Sequence, residues 1–255
     1  MKEKISKDYN ISKDKIIINL PQKGSLSVQI IFQSNEFNDL DIEDFKKKFQ
    51  NDNEYSELQN LKEIHTDVIM QACKLTKGQL DPRGNRTDGW GVDEERGNKP
   101  YNPPLGWIGI GLNVLDKYDE GDNTWIGMSN IEGEWCVAYH GVGRNLDSES
   151  VKKITGSIIG TKFKKGEAQI HSQCDDQYHP GQKVGEGVYC TPNIATAEEY
   201  AGTSKINNDS YKTVLMLRVK PEAIRGCECS FAKDYWVVNG TTDEIRPYRI
   251  LYKKI

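Results

Sequence analysis

The apolar positions of this sequence fall mostly in short runs bounded by turn-forming residues. That pattern predicts many short strands and few helices in the second half of the chain. Residues 211–219, YKTVLMLRV, form the strongest buried strand, and Pro221 ends it. Residues 134–141 (EWCVAYHG), 188–190, 235–238 and 245–253 read as further strands, with an Asn239-Gly240 turn after the 235–238 strand. Residues 15–20 and 25–32 predict a hairpin around Pro21-Gln22-Lys23-Gly24. Helical spacing is confined to four places. One helix is expected over 41–49, capped by Asp41, and one over 151–159. A longer one over 54–75 aligns Leu58, Leu61, Ile64, Val68, Ile69 and Ala72, with His65 as a packed histidine beside that stripe. The last runs through Glu198 and Glu199 to Tyr200, with Thr191 as its expected cap and Pro192 at its first position.

Residues 1–14 are charged and are expected to fray. Residues 77–104 change character, being dominated by Gly, Pro, Asn, Asp and Arg. They read as a long irregular loop in which Trp90 is the anchor. The domain boundary is therefore expected there: residues 1–100 as an accessory region of one hairpin, two helices and the linker, and 101–255 as the functional domain. The fold class expected is α+β. In residues 105–114, Gly106, Gly109 and Gly111 lack the spacing of a dinucleotide fingerprint, so a glycine-rich strand or turn is expected. Residues 117–124, acidic and glycine-containing, lack the closing glutamate of a calcium loop.

Composition narrows the function classes. The 255 residues are 36% hydrophobic and 28% charged, which suffices for a core. A net charge of −4 argues against wholesale binding of nucleic-acid phosphates. The first ten residues, MKEKISKDYN, have no apolar signal core, and no apolar run is long enough to span a bilayer. Six dispersed cysteines (73, 136, 174, 190, 227, 229) then read as reduced thiols of a cytoplasmic protein without a membrane partner.

Candidate chemistry centres on residues 181–200, GQKVGEGVYCTPNIATAEEY. Gly181, Gly185 and Gly187 allow close backbone approach to a ligand, and the strand and helix that follow bring Tyr189 and Tyr200 to one cleft, where phenol rings can stack on a flat heterocycle. His171, Cys174 and His179 invite a zinc reading. They lack a fourth ligand and a paired C-x-x-C, so no metal is expected.

Taken in order, AYHG, GEGVYCT followed by a helix, TVLMLRV, DYWVV and the final IRPYRIL resemble the catalytic domain of the poly(ADP-ribose) polymerase-like ADP-ribosyltransferases. That family shows Y/W-H-G, then G-x-G-(I/V)-Y-F-A and a helix, a hydrophobic strand, and a late E-Y-x-(V/I)-Y strand. The resemblance covers roughly residues 134–255. It implies a split, mixed sheet that clamps NAD, a donor substrate whose nicotinamide–ribose bond is broken. By match of motif, His140 would hold the adenosine-side ribose and the Gly141 backbone would bond the nicotinamide amide. Tyr189 would be the tyrosine of the family's His-Tyr-Glu triad, Tyr200 would stack on nicotinamide, and residues 171–184 would be the donor-site loop. The family's small hydroxyl residue on that helix is Ala197 here. Its glutamate falls at Asp234, one methylene shorter, and Glu244 before the last strand is the other candidate carboxylate.

The resemblance thus implies a glycosyltransferase-class enzyme that moves ADP-ribose from NAD to an unknown acceptor. A protein acceptor is favoured, and mono-transfer over polymerisation. The alternative is a catalytically inactive module that binds NAD or ADP-ribose. Transfer to an RNA phosphate is a third reading, which the net charge disfavours.

Overall fold

Two compact units divide the chain, Met1–Val68 and Ile69–Ile255. The computed structural model describes residues 16–19, 29–32, 70, 73–86, 90, 94–166, 169–206, 209–227 and 234–255. In the first unit the expected hairpin is present: β1 (Ile16–Asn19) pairs antiparallel with β2 (Gln29–Phe32), Ile16 opposite Phe32. Its turn, the helix expected over 41–49, His65 and most of the helix expected over 54–75 lie outside the described residues. Met70 and Cys73 are helical. Lys74, at φ 53°, closes that helix, with the Leu75 N–H donating to the Met70 carbonyl at 2.9 Å.

The division falls at 68/69 rather than near residue 100, because the stretch expected to be a linker is packed onto the second unit. Its backbone groups find partners there. Leu80 bridges Leu112, and Arg86 bridges Gly109. Trp90 is buried, with the Arg249 guanidinium 5.3 Å from its ring centroid and the Tyr101 hydroxyl donating to its carbonyl at 3.1 Å. A hairpin of β3 (Glu94–Arg96) and β4 (Lys99–Tyr101) completes the stretch.

The rest of the second unit runs β5 (Ile108–Gly111), β6 (Cys136–Gly141), α1 (Ser148–Gly160), β7 (Val188–Cys190), α2 (Ile194–Glu199), β8 (Thr203–Ile206), β9 (Asp209–Val219), β10 (Trp236–Val238) and β11 (Ile245–Lys254). The class is α+β, with strands predominating. One sheet has the order β5-β11-β9-β6. β9 is long enough to hold two partners on one edge: β6 pairs with residues 214–219 and β8 with residues 209–212. A second sheet pairs β7 with β10 alone. Every pairing between described strands is antiparallel, which corrects the mixed sheet that the motifs imply. Between β8 and β9 the connection is too short for the crossover of a dozen or more residues that a parallel pairing needs.

β9 is central, and Val214, Leu215, Leu217 and Val219 are completely buried, as are Ile250 and Leu251 of β11. Each such side chain contributes about 1.5–3 kcal/mol on burial. α1 is capped by Asp147, whose carboxylate accepts the Ser150 N–H at 3.0 Å, and it turns Val151, Thr155 and Ile158 inward at helical spacing. In the acidic loop, Asp119 accepts two hydrogen bonds from the Arg246 guanidinium at 2.6 and 2.8 Å; this carboxylate serves an arginine. Among the described residues no helix is long and apolar enough to cross a membrane.

Candidate active site

A backbone bridge joins the two sheets. Tyr139 on β6 and Thr191, just after β7, exchange backbone hydrogen bonds at 2.7 and 3.0 Å. No other backbone pairing joins these two strands among the described residues, so the sheets part on either side. His140 is the next residue along β6, where the two sheets part. Its Nδ1 lies 2.7 Å from the carbonyl oxygen of Tyr189, 49 residues away in sequence. A carbonyl only accepts, so Nδ1 carries the proton and Nε2 keeps its lone pair. The Tyr189 backbone points to the same edge as Thr191, two residues on, but has no strand opposite it; the imidazole takes that place. The ring packs edge-on against Phe163, with centroids 5.2 Å apart. Burial lowers the imidazole pKa below its ordinary value, so His140 is neutral at neutral pH.

Val188 and Cys190 are buried on one face of β7, which leaves the half-buried Tyr189 ring on the other. The Tyr189 hydroxyl oxygen accepts the backbone N–H of His171 at 3.0 Å. Burial raises the phenol pKa, so its proton stays in place for donation. Gly187 packs closely against the strand beside it. A Cβ there would stand 2.5 Å from the Val238 carbonyl oxygen, so this glycine admits β10.

The helix after β7 is capped by Asn193, whose side chain accepts the Ala195 N–H at 2.9 Å. Thr191 is not the cap, because its backbone is committed to Tyr139 and its hydroxyl accepts the Asn193 N–H. α2 ends at Tyr200 and rests its last turn on Gly141. A Cβ at Gly141 would lie 2.1 Å from the Ala197 carbonyl oxygen and 2.7 Å from the Tyr200 carbonyl carbon. The histidine strand and the tyrosine helix are thus packed together through a glycine and the buried Ala197.

A connected set of rings follows. The Tyr200 and Tyr235 hydroxyls are 3.1 Å apart, and their rings meet edge to face at 6.0 Å. Tyr235 stacks on the His171 ring at 5.6 Å and 24°, and His171 lies 5.9 Å from Tyr189. The Arg144 guanidinium sits 5.1 Å from the centroid of Tyr200. The hydrogen bond with Tyr200, then burial, pushes the Tyr235 phenol up to about 12. Sequence reasoning assigned no ring role to Tyr235, His171 or Arg144; adjacency to Asp234 was the one available signal for Tyr235.

The two candidate carboxylates stand at opposite ends of β10. Asp234 is exposed and directly precedes Tyr235, on the side of the rings. Glu244 accepts the Asn239 N–H at 2.8 Å and lines a cavity of 630 Å³. Lys162, Phe163, Lys165, Arg225 and Gly187 also line that cavity. None of His140, Tyr189, Tyr200 and Tyr235 does; the cavity adjoins His140 through Phe163.

The donor atoms of His171, Cys174 and Cys227 lie within 4.8 Å of one another. His179 is elsewhere, with Nδ1 2.7 Å from the Asp176 carboxylate, so the His171, Cys174 and His179 set is not assembled. Three other thiols are core groups: burial pushes Cys73 and Cys136 up to about 12 and raises Cys190 further. No protein-family model matches the chain, and no curated protein matches it.

Proposed function

We propose that this protein is an NAD-dependent ADP-ribosyltransferase of the poly(ADP-ribose) polymerase-like type, acting in the cytoplasm and transferring single ADP-ribose units, with a protein side chain as the favoured acceptor. The observation that carries the reading is the pairing of His140 with Tyr189 where the two sheets part. It supports the motif match because two residues far apart in sequence meet at one place, with Tyr200 docked beside them through Gly141.

Each group has a chemical task in this reading. Neutral His140 accepts a hydrogen bond from a ribose hydroxyl at Nε2, and its other nitrogen donates to the Tyr189 carbonyl. The rings of Tyr189 and Tyr200 stack on nicotinamide. In the adjoining cavity Lys162 and Arg225 are the cations offered to the diphosphate, Lys165 being paired with Glu186, and Glu222 and Glu244 lining the same cavity. The C1′–N bond then breaks, with its electron pair leaving on nicotinamide and positive charge developing on the ribose. Asp234, hydrogen-bonded to a ribose hydroxyl, stabilises that charge more in the transition state than in the ground state. The acceptor oxygen, nitrogen or sulfur attacks C1′ and gives its proton to solvent.

Calorimetric titration with NAD tests the binding half. The parent is expected to bind saturably, and its melting temperature to rise with ligand. His140→Ala is expected to weaken binding by about 0.5–1.5 kcal/mol, the usual worth of one hydrogen bond. Absence of both heat and a thermal shift in the parent at millimolar NAD would defeat the proposal.

A further inference from the structure

We propose that His171, Cys174 and Cys227 bind a zinc ion that fastens the loop after α1 to the strand segment before β10. Three donor atoms from two distant parts of the chain converge within 4.8 Å. The Cys174 Sγ to His171 Nδ1 distance is 3.9 Å. Ligands on a tetrahedral zinc, with Zn–S about 2.3 Å and Zn–N about 2.0–2.1 Å, sit roughly 3.5–3.8 Å apart, so this pair closes by a few tenths of an ångström and the other pairs, all within 4.8 Å, by about 1 Å at most. Two thiolates and an imidazole supply three of the four tetrahedral positions, with water in the fourth, and form the borderline-soft set that selects zinc over magnesium or calcium.

The backbone holds these residues in position. The His171 carbonyl accepts the Cys174 N–H at 3.0 Å, and the Cys174 carbonyl accepts the Val184 N–H at 2.9 Å. On the other segment, the Gly226 carbonyl accepts the Gln177 N–H at 2.9 Å, the Gly226 N–H donates to Asp176 at 3.1 Å, and Asp176 bridges Cys227. Cys229, two residues after Cys227 in sequence, lies outside the described residues.

On binding, each thiol releases its proton to solvent and the imidazole coordinates through a neutral nitrogen. Two thiolates then balance the charge of the ion, which suits a half-buried position. The same residues reach the cleft. The His171 N–H donates to the Tyr189 hydroxyl, and the His171 ring stacks on Tyr235. The ion therefore sets the position of the two tyrosines as well as the loop, whatever ligand the cleft takes.

The test is metal content. Full-length protein purified under reducing conditions without chelator is expected to carry about one zinc per chain by plasma mass spectrometry. Cys174→Ser and Cys227→Ser are each expected to lose most of it, and His179→Ala to keep it. If the serine variants do not fold, cobalt(II) added to the metal-stripped parent is expected to give thiolate charge-transfer and tetrahedral d–d absorption. Parent protein without metal and without those cobalt bands would overturn the proposal. So would full occupancy in both serine variants, or an intact mass showing a Cys174–Cys227 disulfide in place of metal. None of these readouts involves NAD, so failure here is distinct from failure of the transferase reading.

Discussion

At the scale of single residues, His140 is the group whose state is best defined. Its tautomer is set by a carbonyl, and burial keeps it neutral. A histidine whose folded pKa lies below its unfolded value binds protons more readily when the chain is unfolded. Its contribution to stability is therefore present above the ordinary histidine value of about 6.5 and is lost as pH falls toward the folded pKa. His140→Asn keeps an N–H for the Tyr189 carbonyl but cannot titrate. Melting curves between pH 7.5 and pH 5 are expected to show the parent losing more stability on acidification than this variant. Parallel losses would mean that the imidazole is not desolvated as described. The Tyr235 phenol, pushed up to about 12, stays protonated throughout that range.

At the scale of elements, the docking of α2 on β6 decides where Tyr200 stands. Adding a methyl group at Gly141 drives it into the Ala197 carbonyl oxygen, which is backbone and cannot swing aside. Gly141→Ala is expected to cost about 1–3 kcal/mol, as overpacking does, and to weaken NAD binding by displacing Tyr200. Gly78→Ala, with open space around it, is the control expected to leave ligand binding unchanged. Equal NAD affinity in Gly141→Ala and the parent would separate Tyr200 from the binding site. The elements legible in the sequence were those with strong local signals: the run at β9, the apolar strand ending in His140, and the hairpin of β1 and β2. β8 was not legible, because its four residues become a strand only against the overhang of β9. β3 and β4, three residues each and joined only by Gly97-Asn98, were hidden in a stretch rich in turn formers. The helix cap was misplaced by two residues, because Thr191 is taken up by a bridge that no local pattern encodes.

At the scale of the whole second unit, the β5-β11-β9-β6 sheet and the β7-β10 pair meet, among the described residues, at the Tyr139–Thr191 bridge and part beside it, where His140, Tyr189, Tyr200 and Tyr235 gather. Motif order singled out His140, Tyr189 and Tyr200, which the fold brings near one another. The contacts of Tyr235 with His171, and of Cys174 with Cys227, were not, since each joins segments that only the folded chain brings together. The central claim is that this site breaks the nicotinamide–ribose bond of NAD, with Asp234 as the assisting carboxylate. The direct measurement is nicotinamide released at saturating NAD by the parent, Asp234→Ala and Glu244→Ala. Release by the parent is expected, with a fall of about 10²–10³-fold in Asp234→Ala at nearly unchanged NAD affinity and a smaller fall in Glu244→Ala. Turnover abolished in Glu244→Ala and intact in Asp234→Ala would contradict the assignment of the carboxylate. NAD bound by the parent with no nicotinamide released, to water or to any acceptor, would contradict the enzyme itself and leave a binding module.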